Sequence, residues 1–271
     1  HIRHYSLLLH VAEDFQCVLP LPFFAQFVNL LCVSSEDVLV AATGIAEIEA
    51  YVLANGDQTF TLGAASQNVT TGSGAVVIDT GAISDITDAT LDGTNATTSL
   101  KINVAANTDI SDATIKGTAG NADANYSIDI ATNADAITMT RAQHLLLGTV
   151  TDGADATITL SDAGATTGNA NIGAYVLANG DQTFTLGAAS QNVTTGTGAV
   201  VIDTGAISDI TDASLNGSAA TTSLKINVAA NTDISDAVIT GTAGNADANY
   251  TIDIATNADA ITMTKAQHLL L

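Results

Sequence analysis

From about Ala41 the chain is written in short apolar runs separated by polar clusters. The runs are three to six residues long, mostly rich in β-branched side chains, and bounded by Gly, Asn, Asp and Ser. One series is Thr157-Ile-Thr-Leu160, Thr183-Phe-Thr-Leu186, Val200-Val-Ile-Asp203, Lys225-Ile-Asn-Val228 and Thr251-Ile-Asp-Ile254. Between them lies another: Ala174-Tyr-Val-Leu177, Asn192-Val-Thr194, Ile207-Ser-Asp-Ile210, Ala237-Val-Ile239 and Ala260-Ile-Thr-Met263. β-Branched runs closed by turn formers are strand signals. Helix is nearly absent from the pattern; Thr140-Arg-Ala-Gln-His-Leu-Leu-Leu147 and its copy are where a short one is expected.

The rhythm is itself duplicated. Residues 50–147 return as 174–271, 124 positions on, with nine substitutions in 98. They are Ser73/Thr197, Thr90/Ser214, Asp92/Asn216, Thr94/Ser218, Asn95/Ala219, Thr114/Val238, Lys116/Thr240, Ser127/Thr251 and Arg141/Lys265. So long and so well kept a period indicates an array of modules and argues against one active site assembled from distant parts. The register is detectable from about Ala41, which divides the chain into a compositionally foreign segment (1–40), a first unit (41–167) and a truncated second unit (168–271). In the first series Ile158, Phe184, Ile202, Ile226 and Ile252 recur at similar intervals, and one further step of the same order completes the unit. Two strands per step of about 25 residues fit one coil of an all-β solenoid, about five coils to the unit, with Ile78, Ile102, Ile128, Ile202, Ile226 and Ile252 directed inward. The alternative is tandem β-sandwich domains, because Asn55-Gly56 and Asn179-Gly180 between apolar runs form a strong hairpin signal. Against it stands the scarcity of aromatics, which a two-sheet core ordinarily needs.

Charge narrows the partners. Twenty-eight acids against six bases give a net charge of −22. Nucleic acid calls for a basic face, and anionic membranes repel such a chain. The segment before Ala41 carries Cys17, Cys32, Pro20 and Pro22, with an uncharged stretch from Cys17 to Val33 that is short for a membrane span; a cap or leader is the expectation there. No cysteine lies in the repeats, so no disulfide staples them.

The acids gather at the corners. Ser84-Asp-Ile-Thr-Asp88 and Thr108-Asp-Ile-Ser-Asp112 are followed by Asn121-Ala-Asp123 and Asn133-Ala-Asp135, and the second copy repeats them with Asp247 and Asp259 at its end. Stacked coils would set such carboxylates in columns about 4.8 Å apart, which repel unless a cation sits among them. Asp85, Asp88, Asp109, Asp112, Asp209, Asp212, Asp233 and Asp236 are therefore the candidate metal ligands, with calcium the candidate ion. The competing role is plain turn capping, and neither the EF-hand spacing nor the glycine-rich calcium nonapeptide is present. His144 and His268 share one repeat position without a neighbouring nucleophile motif, so a structural role is expected. The pairs Thr157/Thr159, Thr183/Thr185 and Thr262/Thr264 hint at a flat threonine array, but Lys225 and Asp253 interrupt it.

Three stretches carry a resemblance: Ala136-Ile-Thr-Met-Thr-Arg-Ala-Gln-His-Leu145, Thr157-Ile-Thr-Leu-Ser-Asp-Ala163, and Tyr175-Val-Leu-Ala-Asn-Gly180 with Thr183-Phe-Thr-Leu-Gly187. Over roughly residues 41–271 the chain resembles repeats of very large bacterial adhesin-like or surface-layer-like proteins. That resemblance implies export to the cell surface and work done by length, repetition and attachment, with neighbouring repeats, surface carbohydrate or further copies as partners. The expected function is a non-enzymatic structural or adhesive module. The alternative is a carbohydrate- or ice-binding module with a flat β face. A lyase on the same scaffold would need clustered acids, bases and aromatics, whereas this chain has six bases, five tyrosines and no tryptophan.

Overall fold

The computed structural model describes residues 40–118, 126–132, 134–151, 153–242, 250–255 and 260–271. The foreign N-terminal segment with Cys17 and Cys32, and the acids Asp123, Asp247 and Asp259, lie outside the described residues.

Alternation of buried and half-exposed side chains builds each strand. In Ser99–Val104 the side chains of Leu100, Ile102 and Val104 are buried while Lys101 and Asn103 face outward, and Ser223–Val228 repeats the pattern. All the ladders between described strands are parallel, and each joins one coil to the next. Phe60 stacks on Ile78, Ile78 on Ile102 and Ile102 on Ile128, each partner lying one coil further along. The fold is a β-solenoid. Ile78, Ile102, Ile128, Ile202, Ile226 and Ile252 are all inside, none more than 2 % exposed. Burying one such side chain fully is worth about 1.5–3 kcal/mol, and each lies in a column of apolar side chains running along the stack.

The sandwich alternative fails at its own best signal. Asn55-Gly56 does not close a hairpin; it turns a corner between strands that pair with other coils. Gly56 has a φ of 103°, its N–H donates to Ser73 O at 2.8 Å, and Asn55 Oδ1 accepts from Ser73 N at 3.0 Å. Ser73 lies one coil later, so the Asn-Gly turn stacks on a turn. The coils approach too closely for side chains at some corners. A Cβ on Gly63 would overlap the Gly44 carbonyl of the preceding coil, and one on Gly187 the carbonyl of Gly168.

The expected short helix is present as Arg141–His144. Thr140 caps it, its hydroxyl accepting from Gln143 N while Gln143 Oε1 accepts from Thr140 N. The copy Lys265–His268 has the same capping box.

One relation differs from the sequence reading. Ile158 and Phe184 are not successive positions of one ladder: Ile158 pairs with Tyr175, and Phe184 pairs with Thr166. The linker between the copies thereby changes the side on which the second copy continues. In the first copy, Ala50–Val52, Asn68–Thr70, Thr90–Asp92 and Thr114–Lys116 form their own sheet. Their counterparts from Ala174 to Thr240 instead extend a different ladder, which begins at Thr108–Asp109 and passes through Ala136–Met139 and Thr157–Leu160. The two copies are thus joined by a step along the axis combined with a change of side.

Candidate functional site: the acidic corners and the junction between the copies

The strand-like stretch around Asp85 touches the next coil through a parallel bridge to Asp109, with Ile86 N donating to Asp109 O at 2.7 Å and Asp109 N to Ser84 O at 2.9 Å. Asp209 and Asp233 repeat the arrangement. The two carboxylates of each pair therefore leave neighbouring coils in register. Above Asp109 the next rung is Thr138, and above Asp233 it is Thr262, so each column is two carboxylates deep and ends on a hydroxyl. Asp88 and Asp212 occupy the left-handed region, with φ of 54° and 56°, and serve the bend before the following strand. Asp112 and Asp236 are exposed. The structure therefore brings together Asp85 with Asp109 and Asp209 with Asp233. It does not gather the eight aspartates into one centre, and among the described residues no three of His, Cys, Asp or Glu form a metal-binding group.

Turn capping is visible at one member of each pair. Asp109 Oδ1 accepts from Ser111 N at 2.8 Å and Ser111 Oγ at 2.7 Å; Asp233 receives the same two bonds from Ser235. The Ser235 hydroxyl, then its N–H, hold the Asp233 carboxyl below its ordinary range. Elsewhere the acids are answered by a neighbouring coil. Lys101 Nζ meets Asp129 at 2.8 Å, Lys225 meets Asp253 at 2.7 Å, and Asn103 Nδ2 donates to Asp79 at 2.7 Å. Lys116 lies 3.2 Å from Asp92. Burial raises the Asp92 carboxyl, but hydrogen bonds from Thr94 and the Lys116 charge outweigh it and the net shift is downward. This rung explains two of the nine differences at once: Asn216 and Thr240 replace Asp92 and Lys116 together, so neither copy holds half of the pair.

The junction has chemistry the repeat interiors lack. The helix Arg141–His144 places His144 Nε2 2.8 Å from Tyr175 Oη, and His144 is only 5 % exposed. Asn169 N donates to the same oxygen at 2.8 Å. His144 Nδ1 is buried and has no hydrogen-bond partner. Burial pushes its pKa down to about 4, because a charged imidazolium would meet nothing there to compensate it. Tyr175 is raised by burial and packs on Phe184, centroids 4.8 Å apart. In the first copy Tyr51 turns its hydroxyl to its own loop, accepting from Ile45 N at 2.6 Å. His144 thereby latches across the junction to Tyr175. Arg141 adds a second tie, its N and Nε reaching Asp162 at 2.6 and 3.1 Å and Nη1 reaching Ala165 O at 3.0 Å.

Six glutamines are buried among the described residues, and the four that tie one coil to another were missed in the sequence. Gln191 Nε2 donates to Asn169 O and Ile172 O, both at 2.8 Å, while its Oε1 accepts from Gly187 N at 2.8 Å. Gln67, Gln143 and Gln267 each tie two carbonyls of an earlier coil in the same way. The available signal was the Gly63-to-Gln67 spacing, repeated at Gly187 and Gln191.

An open groove runs beside the linker, between Val150, Gly153, Asn171, Ile172, Gln191 and Asn192 among others, and among the described residues no titratable side chain lines it. Among the described residues no helix is long and apolar enough to cross a membrane. The chain matches no family model, no curated protein and no solved structure.

Proposed function

We propose that the chain is a non-enzymatic structural and adhesive repeat module of an exported bacterial cell-surface protein. The observation that carries the reading is the junction. Two near-identical units are joined into one parallel ladder through Ala136–Met139, Thr157–Leu160 and Ala174–Val176, and are latched by His144 and Tyr175. Stability in such a stack is a sum over coils and neighbour interfaces, which suits a part whose work is to extend and to hold. Its partners are further repeats, surface carbohydrate or other copies of the same protein. Calcium acts as a weak stabiliser at the Asp85/Asp109 and Asp209/Asp233 pairs, relieving the self-repulsion of a chain at −22.

The test is location. Antibody against the folded repeats should label intact cells of the source, and mild protease treatment of those cells should remove the label. An antigen reached only after lysis sinks the proposal.

A further inference from the structure

The chain holds three Asn-Gly pairs, Asn55-Gly56, Asn179-Gly180 and Asn216-Gly217. Such a pair carries its own reaction. The glycine nitrogen, once it has lost its proton to base, attacks the asparagine Cγ, and no glycine side chain stands in the way. A C–N bond forms and ammonia leaves. Water then opens the cyclic imide to aspartate, or to isoaspartate with one extra methylene in the main chain.

Asn55 and Asn179 are exposed to water, yet the next coil holds both reacting groups. Gly56 N donates to Ser73 O at 2.8 Å while Asn55 Oδ1 accepts from Ser73 N at 3.0 Å. In the second copy Gly180 N donates to Thr197 O at 2.8 Å and Asn179 Oδ1 accepts from Thr197 N at 3.1 Å. The nucleophile's proton is thus engaged by a carbonyl, and the amide it would attack is pinned along the stack. Asp57 and Asp181 fasten the same contact, accepting from Ala75 N at 2.7 Å and Ala199 N at 2.9 Å. Gly74 lies so close over Gly56 that a Cβ on it would overlap the Gly56 carbonyl, and Gly198 lies over Gly180 in the same way. Asn216-Gly217 is placed differently. Gly217 is buried, its N–H donates to Thr240 O at 2.8 Å, and Asn216 Oδ1 accepts from Ser218 N of its own turn at 3.1 Å.

We propose that Asn55 and Asn179 are self-modification sites whose deamidation is gated by the parting of their coil from the next. In the closed stack one residue, Ser73 or Thr197, occupies both the nucleophile and the amide. When that turn lifts away, both groups are released together and the imide closes. The change is one-way. An aspartate product sets a second charge beside Asp57 or Asp181, and an isoaspartate lengthens the main chain where Gly74 or Gly198 leaves no room for it. A separation of coils is thereby written into the chain as a covalent mark. The inference rests on the stacking of the corners and not on where the protein resides, so a failed cell-surface label would leave it standing.

The experiment incubates the whole chain in mildly alkaline buffer, with and without urea, and measures aspartate and isoaspartate at the three asparagines by peptide mass spectrometry. Without urea, Asn55 and Asn179 should react about tenfold or more slowly than in urea, since reaction then waits on local opening. Gly198→Ala forces the overlying turn off Gly180 and should speed Asn179 by about tenfold while leaving Asn55 at its native rate; Gly74→Ala should do the reverse. Asp181→Ala is the gentler variant, removing only the partner of Ala199 N, and should move Asn179 in the same direction with the circular dichroism unchanged. Asn216 reports general unfolding and should stay slow in all three variants. Equal rates at Asn55 and Asn179 with and without urea overturn the proposal. So does an Asn179 unmoved by both Gly198→Ala and Asp181→Ala, and so does a rise at all three asparagines alike, which would make global unfolding the gate.

Discussion

Acidification should loosen the junction before it loosens the coils. His144 has a folded pKa of about 4 against an ordinary 6.5. A depressed histidine is neutral in the fold and takes up its proton only on unfolding, so its contribution is intact above pH 6.5 and is lost as pH falls toward 4. Linkage between those two values amounts to about 2 kcal/mol at pH 5 and about 3 kcal/mol by pH 4. Acids titrate in the lower part of that range as well, so the effect must be read by subtraction. The comparison is between the protein and His144→Gln, which preserves a partner for Tyr175 and does not titrate. Melting temperature and amide exchange at Tyr175 and Ile158 would be followed from pH 7.5 to 4.5. The histidine protein should lose about 2 kcal/mol more than the variant by pH 5, with the loss concentrated at the junction. Equal slopes for the protein and His144→Gln would refute the reasoning, since the buried imidazole would then not be what resists protonation.

Four other outcomes are expected. Ile202→Ala should cost about 2–5 kcal/mol by urea denaturation, because the side chain is fully buried between Phe184 and Ile226. Gly187→Ala should destabilise by about 1–3 kcal/mol, since its Cβ would overlap the Gly168 carbonyl and the coils would have to part; an unchanged melting temperature would show that the spacing is slack. Gln191→Leu leaves two carbonyls and the Gly187 N–H without their partner, so a loss of about 2–4 kcal/mol should appear in the same assay. Millimolar calcium should raise the melting temperature above sodium chloride of equal ionic strength, and Asp85→Asn with Asp209→Asn should remove that difference; equal shifts would leave only charge screening.

The parts of this fold legible in the sequence are those decided locally. Ile78, Ile102 and Ile128 recur where a narrow coil needs a β-branched filler, and all three are inside. Thr140 and Gln143 spell a capping box, and the helix begins there. What escaped depends on the choice of neighbour. Thr157-Ile-Thr-Leu160 and Thr183-Phe-Thr-Leu186 have the same pattern, yet they belong to different ladders, and nothing within either run says which edge it will join. Asn55-Gly56 has the φ requirement of a hairpin turn, which a solenoid corner shares. At the acidic sites the corner positions were readable, and so was turn capping as a role, though not its serine partners Ser111 and Ser235. The Thr138 and Thr262 rungs that end each column were not, because they are supplied by the following coil.

The change of side at the junction sets the bearing of everything the units display. The ladder that carries Asp85 and Asp109 continues through Thr159 to Val176 and never reaches Asp209. In a rod built by repeating this joint, each feature advances around the axis like the treads of a spiral stair, and no compass direction is owned by one motif. Such a rod meets its surroundings equally well however it has rolled. It can be gripped from any quarter, and a planar lattice pressed against it would find the matching threonines only at intervals.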